Sequence, residues 1–142
     1  MKYGLRVSLF LTGAIVVWLG LNVGLGGFET LGWQGAKEFF AVTDPETFAV
    51  QDNHIRFIAG VWLSVGLILI AGSIALHRLR SVLIVLTGMV FVGGLMRFSS
   101  ADGVLLVSNS IAPSLIAELI AFPLLGFWIF KATKKDAGQS VH

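Results

Sequence analysis

Four long apolar runs, at about 5–25, 55–76, 82–98 and 110–130, leave this chain little choice of fold. As a helix, each comes close to crossing a hydrocarbon layer of about 30 Å, the third being the shortest. The runs are continuously apolar rather than alternating, which argues against strands, and a membrane barrel needs more of them than this length supplies. Composition agrees: 56% of the 142 residues are hydrophobic and 13% charged, whereas a soluble domain carries about 25% charged residues. Mean hydropathy is +0.87. The expected fold is all-α: a polytopic membrane protein built as a four-helix up-down bundle, with residues 1–142 forming a single membrane domain.

The first run resembles a leader peptide in having Lys2 and Arg6 ahead of an apolar stretch. Its length, with Trp18 and Asn22 inside it, reads instead as a retained first helix. Basic residues then set an orientation. Lys2 and Arg6 precede the first helix; His77, Arg78 and Arg80 occupy the short turn between the second and third; Lys131, Lys134 and Lys135 follow the fourth. In a four-helix weave these groups share one side, so the positive-inside rule puts both termini in the cytoplasm of a bacterial inner membrane. The other side carries Glu29, Glu38, Asp44, Glu46, Asp52 and Asp102 against Lys37.

The connection 28–53 is too long for a simple turn and holds Trp33, Phe39, Phe40 and Phe48 among acids and glycines. It either lies in the outer headgroup region or covers the mouth of the bundle. Within it, Thr43-Asp44-Pro45-Glu46 reads as a helix start, with Asp44 as cap and Pro45 at the first helical position. Asp102-Gly103 is a turn signal. Residues 131–142 read as a cytoplasmic tail.

Three ionisable residues lie in or at the edge of apolar runs: Arg56, Arg97 and Glu118. A charge in hydrocarbon is costly and calls for a partner. With the termini inside, Arg56 enters the second helix and Arg97 leaves the third at the outer surface. Glu118 lies about 12 Å along the fourth helix from its outer end. The expectation is one polar layer, with Arg97 and Glu118 as nearest partners and Arg56 entering from the neighbouring helix. Asn53, three residues before Arg56, and Ser114, four before Glu118, extend that layer, and Asn22 is a further candidate. Gly60 lies four residues beyond Arg56, and Gly93 and Gly94 lie four and three before Arg97, so each arginine has a small residue one turn away. Pro123 frees a carbonyl and kinks the fourth helix just below Glu118.

These residues form a pattern: Asn53, Arg56 and Gly60 entering helix two; Gly93, Gly94, Arg97 and Ser99 ending helix three; Pro113, Glu118 and Pro123 in helix four. The pattern resembles a bacterial four-helix membrane family catalogued as domain of unknown function 4345, DoxX-like in broad architecture. The resemblance covers nearly the whole chain and implies a four-helix bundle, with no activity or substrate attached.

Several chemistries are weakened by the residues themselves. Without cysteine there are no thiolate nucleophiles and no cysteine-ligated metals or clusters. His54 and His77 flank one helix about 34 Å apart and cannot ligate one haem iron. A carboxylate metal site needs more than Glu118, and Ser114 with Glu118 lacks a nearby histidine for hydrolysis. Met89 and Met96 read as packing. No metal, cofactor or nucleic-acid partner is expected; the partners are the bilayer and a larger membrane complex or a second copy.

Three functions stay open. The first is a non-enzymatic accessory or assembly subunit of a larger membrane complex. The second is binding or transport of an anionic amphiphile, lipid or quinone at the outer-leaflet Arg/Glu layer, where two cations face one carboxylate. The third is a membrane enzyme using Glu118 in proton transfer.

Overall fold

The structure is a computed structural model that describes residues 2–30, 42–100 and 103–137. Trp33, Phe39, Phe40, Lys37, Glu38 and Asp102 lie outside the described residues, as does 138–142 of the expected tail. Among the described residues the chain is helical, with no strand: α1 (Lys2–Gly26), α2 (Pro45–Ile74), α3 (Arg80–Met96), the short α4 (Gly103–Leu106), α5 (Ala112–Ile116) and α6 (Phe122–Ala137). A π-helical turn, Ala117–Ala121, joins α5 to α6 without a break. Among the described residues four segments are long and apolar enough to cross a membrane: Lys2–Thr30, Pro45–Ile74, Arg80–Ser99 and Ala112–Lys134.

Two helices extend beyond their apolar runs. α2 begins at Pro45, not near residue 55, because Asp44 caps it: its Oδ1 accepts from the Glu46 and Thr47 amides at 3.1 and 3.2 Å. Nothing in 45–74 breaks a helix, so the polar stretch with Glu46, Asp52 and His54 is its first turns rather than loop. α6 likewise runs on to Ala137, taking in residues read as tail.

The chain divides into two compact units. One, Leu9–Ile70, packs α1 on α2. Their backbones approach so closely that a Cβ on Gly13 would sit 2.8 Å from the Gly66 carbonyl, and one on Gly20 would sit 2.6 Å from the Leu63 nitrogen. Small residues are the means by which helices without a hydrophobic driving force gain contact. Leu9, Val16, Ala59 and Leu69 are buried in this unit.

The other unit, Met1–Ser8 with Ala71–His142, is built on α3 against the π turn and α6. Its core includes Leu5, Leu76, Leu83, Leu86, Phe122, Leu125 and Ile129. Large apolar side chains such as Val85, Met89, Leu124 and Phe127 are exposed, as expected of faces turned to lipid.

Candidate functional site

α3 ends at Met96, and Arg97 opens a 3-10 turn, Arg97–Ser100. The guanidinium grips Glu118 through two parallel bonds, Nε to Oε2 at 2.6 Å and Nη2 to Oε1 at 2.7 Å. This forked geometry is the strong form of an arginine–carboxylate contact. Its burial is asymmetric: the Arg97 side chain is 38% exposed and that of Glu118 9%.

Two local features put Glu118 there. Pro123 has no N–H to offer the carbonyl four residues back, and the helix accommodates this by widening one turn: the Phe122 amide bonds Ala117 O, five residues away. Glu118 lies in that widened turn. Gly94, one turn before Arg97 on α3, receives it. A Cβ on Gly94 would lie 2.9 Å from both the Glu118 Cβ and the Leu119 Cδ2. Gly93 and Gly60 are different, with nothing within 4 Å of a Cβ added at either. Ser114 turns back on its own helix, donating to Ile111 O at 2.8 Å, and Ser99 does the same to Met96 O.

Arg56 finds its partners within its own unit. Its Nε donates to Asp52 Oδ2, one turn earlier on α2, at 2.6 Å. Its Nη1 donates to Leu25 O at 2.5 Å and Gly24 O at 3.3 Å, the carbonyls that the end of α1 leaves without helical partners. The other Asp52 oxygen accepts from the Phe28 amide at 2.8 Å. Gly27 makes the corner with φ +66°, a left-handed conformation that favours glycine. Asn22 and Thr30 close the knot: Asn22 Nδ2 donates to Thr30 O at 3.1 Å, and the Thr30 hydroxyl to Asn22 O at 2.8 Å. Arg56 and Asp52 thus form a clamp on the C-terminus of α1. Asn53 is exposed on the same helix and is not one of the clamp's hydrogen-bonding groups.

The chain matches, over residues 4–129, the family described as Domain of unknown function (DUF4345). It belongs to that family. No curated protein and no solved structure matches it. The family match takes in Arg97, Glu118, Arg56 and Asp52 together.

Asp52 is the residue that sequence reasoning missed. Its four-residue spacing from Arg56 is a visible signal, but the polar stretch 28–53 that holds it reads as a connection. Gly27 and Thr30 had no such signal, since their roles depend on how α1 ends. Among the described residues no three His, Cys, Asp or Glu side chains are grouped to hold a metal ion.

Proposed function

We propose that this DUF4345 protein is a non-enzymatic integral membrane protein, an accessory or assembly subunit of a larger complex, in which Arg97–Glu118 locks helix register. The observation that carries this reading is the closure of that pair: Arg97 occupies both oxygens of the buried carboxylate. Fixing register is the best-attested use of a buried polar pair. The Arg56–Asp52 clamp supports the same reading, because it spends its charge on α1's terminal carbonyls. Small residues remain for a partner helix: Gly60 and Ser64 are four apart and both exposed on α2, and Gly88 and Gly93 are open on α3. The distribution of basic residues favours both termini in the cytoplasm of a bacterial inner membrane.

Gentle extraction from native membranes, followed by mass measurement of the intact assembly, tests the proposal. A stoichiometric second protein or second copy is expected, and Glu118→Gln should reduce its recovery. A single chain with no partner under conditions that preserve the fold overturns it.

One observation favours a second reading. The Arg97 side chain is more than a third exposed although its carboxylate partner is buried. An anionic head group or quinone reaching that exposed edge would make the pair a binding site. This reading requires a retained amphiphile that Arg97→Ala loses.

A further inference from the structure

We infer that the first turn of α3 and the last turns of α6 bind the phosphate of an anionic phospholipid. Three cations converge there on two phenylalanines. Along α6 a Phe-x-x-x-Lys pair occurs twice: Lys131 lies 4.9 Å from the centre of the Phe127 ring, and Lys134 lies 5.6 Å from that of Phe130. Arg80, the first residue of α3, comes to the same Phe130 ring at 5.5 Å. Arg80 and Lys134 therefore share one aromatic ring. Among the described residues none of the three cations is in an ion pair.

Among the described residues no carboxylate pairs with these cations; like charges held together repel one another, and an anion from outside the chain relieves that repulsion. Arg80 is half-buried, and its guanidinium is a planar fork that suits phosphate oxygens.

The surroundings select a lipid over a free ion. The cations sit at the ends of two apolar spans, Arg80–Ser99 and Ala112–Lys134. Below them Phe127, Leu124 and Val82 are exposed, a surface suited to acyl chains. Basic side chains with apolar stems at this depth are the usual receivers of anionic head groups.

The test uses the full chain in detergent, titrated with phosphatidylglycerol or phosphatidylcholine of the same acyl length and read by native mass spectrometry. Phosphatidylglycerol should bind in preference. Arg80→Gln/Lys134→Gln should weaken it about thirtyfold, the effect of losing two membrane-surface cations, while phosphatidylcholine binding stays unchanged. Phe130→Leu, which removes no charge, should also weaken phosphatidylglycerol, whereas Arg78→Gln, a charge outside the ring contacts, should have less effect than Arg80→Gln. Equal binding of the two lipids overturns the inference, as does equal loss from Arg78→Gln and Arg80→Gln. Displacement of phosphatidylglycerol by inorganic phosphate would show a free-anion site and overturn it too.

Discussion

Glu118 gives both of its oxygens to Arg97, at 2.6 and 2.7 Å, across the contact between α3 and the π turn. Gly94 permits that contact, and Pro123 widens the turn from which Glu118 reaches. A glycine, a proline and an ion pair, separated in sequence, thus serve one joint. The consequence is a buried charge whose satisfaction depends on the register of two helices.

Adjacent glycines should respond in opposite ways. Gly94→Ala forces a Cβ against Glu118 and Leu119 and is expected to cost about 1–3 kcal/mol, the range for overpacking. Gly93→Ala meets open space and should be neutral or stabilising by up to about 1 kcal/mol from helix propensity. Thermal unfolding of both variants in the same detergent checks the contrast.

The clamp at the end of α1 predicts a second contrast. Gly27 has φ +66°, and a Cβ there would also collide with Asp52, so Gly27→Ala should cost at least about 1–2 kcal/mol. At Gly24 an added Cβ makes ordinary contact with Ala59 at 3.7 Å, and Gly24→Ala should cost little. Asp52→Ala removes the acceptor for Phe28 and the partner of Arg56 together. Faster hydrogen exchange at the Phe28 amide is the expected result, and unchanged protection there would count against the clamp.

Acid should loosen the start of α2. The Thr47 hydroxyl, then the Thr47 amide, hold the Asp44 carboxyl below the ordinary aspartate range. A folded value below the unfolded one means that the cap's contribution is fully present above about pH 3.9 and is lost as pH falls through the lower folded value. An NMR titration of the Thr47 amide should show a midpoint below the ordinary aspartate value. A midpoint at or above it contradicts the capping role.

Much of this was legible in the residues. The four apolar runs announced the helices, and Asp44-Pro45 marked a helix start, though one placed in the connection 28–53 rather than at the head of α2. Arg97 and Glu118 were paired by counting depth along their helices. What escaped depended on register and local backbone. Hydropathy hid the first turns of α2, because a helix that projects beyond an apolar run looks like loop, and Asp52 was hidden with them. Which member of Gly93-Gly94 faces the neighbouring helix turns on a rotation of about 100° per residue, finer than a run of apolar letters defines. Pro123 announced a disturbed helix, but packing decides whether the disturbance becomes a kink or a widened turn.

If Arg97–Glu118 locks helix register, a pair of single variants set against their double shows it. Arg97→Met leaves a buried carboxylate without its partner and should cost up to about 3 kcal/mol, below the fully buried case because the guanidinium is partly exposed. Glu118→Leu should also destabilise. Replacing both by apolar residues of similar volume removes the unpaired charge, so Arg97→Met/Glu118→Leu should unfold within about 1 kcal/mol of the parent protein but, with nothing to fix the register, lose its co-purifying partner. A double variant as unstable as the singles, or one that folds and assembles like the parent, would contradict the lock.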